Sequence, residues 1–307
     1  MTNPESASHG TEAQLSLDNP VTRHPKISPP KQDQPEPGLD AKLEPAANHG
    51  ETSYVGTGRL KGRKALITGG DSGIGAAVAI AFAREGADVA IAYLPAEEED
   101  ARKILELIEA EGRVGIGLPG DLLEADYRNT LADEAAQKLG GLDILVNNAG
   151  KQIAIQRFED LTDEQVLETF QVNILAMFTI TRSALKHFPD GASIINTTSV
   201  QAYDPSPALL DYASTKAAIN AFTKGLAVQL APRGIRVNGV APGPIWTPLQ
   251  VSDGQPKDKL PKFGHNVPLG RAGQPVELAP AYVFLASAES SYVVGETLNV
   301  NGGKTTP

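Results

Sequence analysis

The 307-residue sequence contains no cysteine, which excludes disulfides, thiolate metal sites and cysteine nucleophiles. Basic residues are outnumbered, 27 Lys+Arg against 37 Asp+Glu, for a net charge of −10. No basic cluster offsets that balance, so nucleic acid is not an expected partner. An anionic cofactor stays possible, because backbone amides and helix ends hold anions without side-chain charge. No apolar run approaches the roughly 20 residues of a membrane span. The opening MTNPESASHG lacks the basic-then-apolar pattern of a secretory signal. The chain therefore reads as soluble and cytoplasmic, with no membrane partner. Its hydrophobic content of 41% is enough for one large core or two small ones.

Residues 1–50 hold eight prolines and little apolar periodicity, too little buried surface to offset the entropy of ordering. Residues 1–57 are set apart as an N-terminal extension. It is either a disordered tail, as favoured for 1–38, or an extended arm on a neighbouring subunit. Leu43, Tyr54, Val55 and Leu60 are the anchors for such an arm over 40–60.

From 58 to 307 short apolar runs alternate with helical patterns. KALIT (64–68) precedes a glycine turn and GIGAAVAIAFAREG, and ADVAIAYL precedes EEEDARKILELIEAEG, which stops at Gly112. A helix over 124–139 leads to LDILVNNAG, and long helical patterns cover 162–188 and 212–231. Thr162 with Gln165 forms a capping-box pattern, and Pro275 suits the first turn of VELAPAYVFLAS. Continuous apolar strands alternating with helices predict an α/β fold, a single doubly wound domain on a seven-stranded parallel sheet covered on both faces.

The first strand-to-helix turn, TGGDSGIG (68–75), has glycines where a tight turn and close backbone approach to a pyrophosphate need them. The second strand ends Ala92-Tyr93-Leu94-Pro95, with neither a carboxylate for a ribose diol nor an arginine for a 2′-phosphate. Asp71 lies in the turn and Glu97 to Glu99 open the next helix, so a phosphate meets negative neighbours. The reading favours NAD, with NADP as the alternative. Further on, DYASTK (211–216) places Tyr212 and Lys216 four residues apart, one turn of a helix that begins near Asp211. A phenol with its ordinary pKa of ~10 is a poor base at neutral pH, and an ammonium one turn away favours the phenolate.

TGGDSGIG, GDL (120–122), NNAG (147–150), Asn173, Ser199, YASTK (212–216) and PG (242–243) occur in one order, with Ser199 thirteen positions before Tyr212. Together they resemble the short-chain dehydrogenase/reductase family over roughly 58–303. The glycine spacing is similar to that of the alcohol-oxidising members of about 250 residues, and the short Tyr–Lys spacing departs from the enoyl reductases. The extension resembles that of bacterial glucose-dehydrogenase-like oxidoreductases. The resemblance implies a Rossmann fold and hydride transfer between nicotinamide and a small alcohol, sugar or carbonyl compound. Tyr212 is then the general acid/base, Ser199 orients the substrate oxygen, Lys216 also bonds the nicotinamide ribose, and Asn173 holds a water on a proton path to Lys216. The cofactor residues implied are Gly69, Asp71, Ser72, Gly73, Ile74 and Gly75 at the turn, with Asp121 and Leu122 flanking the adenine. Asn147, Ala149 and Gly150 line the groove, and Ile245 and Thr247, after Pro242 and Gly243, contact the carboxamide. A homotetramer is likewise implied.

Residues 244–268 carry five prolines and two glycines and read as a lid, with Trp246, Leu249 and Phe263 as its apolar cover. Lys151 to Ile153 and Gln201 to Tyr203 are expected at the pocket rim. His265 has no companions for a metal site. Two other functions stay open, a 3-oxoacyl-carrier-protein reductase and a non-catalytic dinucleotide-binding scaffold. The first needs a basic entrance for its acidic carrier, and the second often lacks the Tyr or Lys present here.

Overall fold

The computed structural model describes residues 17–304. Its sheet comprises Lys64–Thr68 (β1), Asp88–Tyr93 (β2), Gly115–Pro119 (β3), Ile144–Asn147 (β4), Ser193–Thr197 (β5), Arg236–Pro242 (β6) and Thr297–Val300 (β7). All neighbours pair in parallel, in the order β3-β2-β1-β4-β5-β6-β7. Chain order reverses between β1 and β4, and the crevice beyond their C-terminal ends is where sheets of this kind bind ligands.

The helices are Gly73–Arg84 (α1), Glu98–Ala110 (α2), Ala125–Leu139 (α3), Asp163–Phe170 (α4), Ala176–Ala184 (α5), Leu210–Leu230 (α6) and Ala279–Ala286 (α7). One face of the sheet buries α1, α2 and α7, whose apolar surfaces meet Ile67, Val89, Ile91 and Val240. The other buries α3, α5 and α6 against Leu66, Leu145, Ile194 and Val237. Because both faces are covered, β5 is buried along its whole length, as a continuous apolar strand requires.

The helical run expected over 162–188 is broken by a π turn, Gln171–Leu175, that contains Asn173. Thr162 Oγ1 accepts from Gln165 N at 3.2 Å, but the Gln165 amide turns away to Asp211 Oδ2, so the capping box is half formed. Pro275 opens a 3₁₀ turn, Pro275–Glu277, that leads into α7.

The extension departs most from expectation. Residues 1–16 lie outside the described residues, but from Leu17 onward the chain is ordered. It packs on its own domain. Ile27 and Leu43 bury against Trp246, Val251, Leu260 and Ala272. The arm then follows α1 from end to end. At the N-terminus of α1, Asp40 Oδ2 accepts from Gly73 N at 2.9 Å. At its C-terminus the fully buried Glu85 accepts from Tyr54 Oη at 2.7 Å and from Arg59 Nη2 at 2.6 Å. Burial alone would raise the Glu85 carboxyl, but Arg59 and the backbone donors hold it down at about 2. Arg84 adds bonds to the carbonyls of Gly50, Glu51 and Tyr54.

Candidate active site

A cavity of about 980 Å³ opens at the C-terminal ends of β1, β4, β5 and β6. The glycine turn forms its floor. Gly69 has φ +63°, and a Cβ there would stand 3.1 Å from Ala149 Cα. A Cβ at Gly75 would lie 1.8 Å from the Gly69 carbonyl oxygen, so that residue must be bare for α1 to meet the turn. Gly69, Asp71, Ser72, Gly73, Ile74, Asp121, Leu122, Ala149 and Gly150 all reach the wall, as do Pro242, Gly243, Ile245 and Thr247.

Gly75 does not, since its role is packing. Asn147 is also displaced from the groove: its Nδ2 donates to Thr181 Oγ1 at 3.1 Å and Asn196 Oδ1 at 2.9 Å, tying β4 to β5 and α5. The neighbouring Asn148 takes the cavity position, with Nδ2 on the carbonyls of Thr68 and Gly69 and Oδ1 accepting from Thr197 Oγ1.

Ser199 lies just beyond β5 and caps the 3₁₀ turn Val200–Ala202, its Oγ accepting from Gln201 N at 3.1 Å. Tyr212 and Lys216 share one face of the first turns of α6. Asp211 fixes that start by accepting from Thr169 Oγ1 at 2.8 Å and from Gln165 Nε2 at 3.1 Å. Lys216 Nζ donates to the Thr197 carbonyl at 2.9 Å, and Thr198 Oγ1 donates to the Lys216 carbonyl at 3.0 Å. Ser199, Tyr212 and Lys216 therefore line one cavity.

Their electrostatics differ from expectation. Burial pushes the Tyr212 phenol up to about 12, with the Ser199 hydroxyl pulling the other way. Burial pulls Lys216 down to about 8. In the protein alone the lysine does not depress the phenol, because its own charge is poorly supported.

Asn173 stands behind the wall. Its Oδ1 accepts from Lys151 N at 2.7 Å, while Nδ2 donates to the Lys151 carbonyl and to Thr215 Oγ1, each at 3.0 Å. The side chain thus clamps Lys151 to α6. What Asn173 can offer a water is its backbone, in a π turn of the kind that recurs at functional sites.

Beyond β2 the cavity meets an acidic group that the second strand alone did not reveal. Asp71 is nearly fully buried and its Oδ2 has no hydrogen-bond partner among the described residues. Burial raises both Asp71 and Glu97; Asp40 and Asp100 add to both, and Asp71 adds to Glu97. Bare glycines and this orphaned acceptor fit a dinucleotide whose ribose supplies hydroxyl donors.

The lid residues Leu249 and Phe263 do reach the cavity. Trp246 does not: it is fully buried under the arm, with Nε1 donating to the Pro45 carbonyl at 2.7 Å. At the rim, Lys151, Gln152 and Gln201 are on the wall, and Ile153, Ala202 and Tyr203 are not. Glu36, Pro37 and Gly38 of the arm also line the cavity, with no signal in their own sequence to mark them. His265 bonds the Ile27 carbonyl at 2.8 Å, and no metal-binding cluster exists among the described residues. No helix among them is long and apolar enough to cross a membrane.

Residues 69–305 match a family profile described as enoyl-(acyl carrier protein) reductase. The uncharacterized oxidoreductase YghA of Escherichia coli is 58% identical over 288 residues, covering 94% of this chain and 98% of that protein. The glucose and ribitol dehydrogenase of Daucus carota is 44% identical over 280 residues, covering 90% and 96%. Among solved structures, a short chain dehydrogenase from Burkholderia cenocepacia in complex with NADP superposes with a TM-score of 0.74 at 37% identity, covering 80% of this chain and 98% of its own.

Proposed function

We propose a function from one established premise: the chain belongs to the short-chain dehydrogenase/reductase family and is an oxidoreductase that takes a nicotinamide dinucleotide. Its reaction interconverts a small alcohol or sugar hydroxyl and the corresponding carbonyl, with Tyr212 moving the proton. The observation that carries this reading is the convergence of Ser199, Tyr212 and Lys216 on one cavity beside the glycine turn.

When bound, the nicotinamide supplies the hydride in reduction and accepts it in oxidation. The glycine turn would hold its pyrophosphate, Asp121 and Leu122 the adenine end, and Ile245 and Thr247 the carboxamide. Ser199 Oγ positions the substrate oxygen next to the Tyr212 hydroxyl. In reduction Tyr212 Oη gives its proton to the carbonyl oxygen; in oxidation it takes the alcohol proton. Lys216 stands behind the phenol to stabilise the phenolate, and Asn173 acts through Lys151 and the π turn.

NAD is our reading of the cofactor, on the strength of Asp71 and Glu97, whose negative field opposes a 2′-phosphate. The NADP held by the Burkholderia relative favours the other form, so both must be assayed. A second copy of the chain suits the exposed Leu167, Leu175 and Phe178 of the α4–α5 run and Val228 of α6, which supports assembly into a homotetramer. The cysteine-free composition accords with the cytoplasm. The carrier-protein reductase reading is weaker, because two of the cavity's lysines are neutralised, Lys151 by Glu36 and Glu168 and Lys304 by Asp204.

The test follows absorbance at 340 nm with NADH and NADPH over aldehydes, ketones and sugars, in both directions, beside Tyr212→Phe. Turnover lost in the variant while cofactor still binds upholds the reading. Cofactor binding without turnover in either direction replaces it with a scaffold.

A further inference from the structure

The arm enters the cavity at a place the chemistry above does not use. Glu36 Oε2 lies 2.6 Å from Lys151 Nζ, and Glu168 Oε2 of α4 lies 3.2 Å from the same ammonium. All three residues share the cavity wall with Ser199 and Tyr212. The Lys151 side chain is only 14% exposed. Its backbone is clamped on both sides by Asn173, and it follows Gly150, where an added Cβ would stand 3.7 Å from Lys216 Nζ. The lysine is thus anchored one residue from the catalytic pair.

Glu36, whose side chain is 42% exposed, is held through its neighbours in the chain. Two residues before it, Gln34 N donates to the Val251 carbonyl at 3.0 Å. Four residues after it, Asp40 N donates to Asp100 Oδ2 at 2.8 Å while the Asp40 carboxylate accepts from Gly73 N. Between them, Gly38 runs so close to the lid that a Cβ would meet the Pro248 carbonyl at 2.8 Å.

An ammonium between two carboxylates presents alternating donors and acceptors. A vicinal diol matches that pattern, each hydroxyl donating to a carboxylate and accepting from the lysine. An alkyl chain in the same place strips water from charges and returns nothing. An anionic substrate fares little better, since the three groups together carry one net negative charge. We propose that Glu36, Lys151 and Glu168 form a hydroxyl-recognition site that selects uncharged, polyhydroxylated substrates, with Glu36 the specificity-determining residue supplied by the arm. This rests on the oxidoreductase reading and names its substrate class.

The test uses glyceraldehyde and propanal, three-carbon aldehydes that differ by two hydroxyls, on the full chain and its Glu36→Ala, Glu36→Gln and Glu168→Gln variants. In Glu36→Ala, kcat/KM for glyceraldehyde should fall roughly ten- to a hundredfold, the range for losing a charged hydrogen-bond partner. The value for propanal should stay within about threefold. Glu36→Gln, which keeps an acceptor and the arm's contact, should fall between. The loss should lie mainly in KM, with NADH or NADPH binding unchanged by fluorescence. Equal losses for both aldehydes, tracking a lower Tm, would make the ion triad a strut for the arm and overturn the proposal. An unchanged ratio beside active wild-type enzyme removes the Glu36 role alone. If wild type binds cofactor yet turns over neither the aldehydes nor glycerol and propanol, the oxidoreductase reading itself fails and this one falls with it.

Discussion

Lys216 Nζ stands 5.3 Å from the centre of the Tyr212 ring while it donates to the Thr197 carbonyl at 2.9 Å. The carbonyl fixes the ammonium against the phenol, so the pair is pre-set before any ligand arrives. Replacing Tyr212 by Phe should lower kcat by about 10²-fold or more, the scale of a lost general acid/base, and leave dinucleotide affinity intact in a fluorescence titration. In the free protein Lys216 loses its proton as pH rises through about 8, well below where Tyr212 ionises, at about 12. The kcat/KM profile for carbonyl reduction should therefore fall above pH 8, as the ammonium is lost while the phenol is still protonated.

The acidic pair at the adenosine end leads to a second expectation. Asp71 is raised by burial and by Asp40 and Asp100, and Glu97 by burial and by Asp71, Asp100 and Asp40, so raising the pH from 6 to 9 adds negative charge beside the ribose. The ratio Kd(NADPH)/Kd(NADH) should climb over that range. Asp71→Asn and Glu97→Gln should lower the ratio and flatten its pH dependence, measured by isothermal titration. A ratio insensitive to both changes would remove the pair from cofactor selection.

His49 ties two parts of the arm to each other electrostatically. Its Nε2 lies 2.9 Å from Asp40 Oδ2, off the hydrogen-bond line, and its Nδ1 lies 2.9 Å from Glu51 Oε1. Burial alone would lower its pKa, but the two carboxylates raise it to about 10. A folded-state value above the unfolded ~6.5 contributes stability in full below pH 6.5 and loses it as pH rises toward 10. The urea midpoint of the wild type should thus exceed that of His49→Gln most at pH 6, with the gap closing by pH 10. A gap constant with pH would mean that the imidazole is neutral.

Trp246 joins lid and arm. It is fully buried, with its ring centre 6.0 Å from that of Phe263 and Ile27 and Leu43 of the arm in the same cluster. Trp246→Ala should cost about 3–5 kcal/mol and expose residues 20–50 to limited proteolysis before the sheet unfolds.

The exposed apolar face has its own test. Phe178 is half exposed and packs on Phe222 with ring centres 4.4 Å apart. Phe178→Glu should shift the wild-type assembly toward smaller species in light scattering, and a monomeric wild type would dispose of the self-association reading.

Much of this was legible in the sequence because local rules and global fold agree. KALIT gave its strand residue for residue, since a short apolar run between turns has few other options, and DYASTK reads as a helix turn because four residues separate its two functional side chains. The failures come from single-residue register and long-range contact. Asn147 ends β4 facing the core, so Asn148 takes the cavity, and a strand boundary displaced by one residue exchanges the two faces. Trp246 looked like a lid cover because nothing local shows that a proline-rich arm lies over it. Glu36 had no pattern at all, as its meaning depends on Lys151, 115 residues away.

The arm's route also fixes when the protein can be finished. Asn48 N bonds Gln274 Oε1 across 226 residues, and Arg271 Nη2 bonds the Pro20 carbonyl across 251. The arm is made long before these partners, and closing so long a loop is slow relative to local structure. A nascent chain that stops short of the lid already carries β1 to β6 and the catalytic helix, and its arm can meet α1 but not the lid. The binding cavity is therefore completed only after the lid and residues 271–274 have been made.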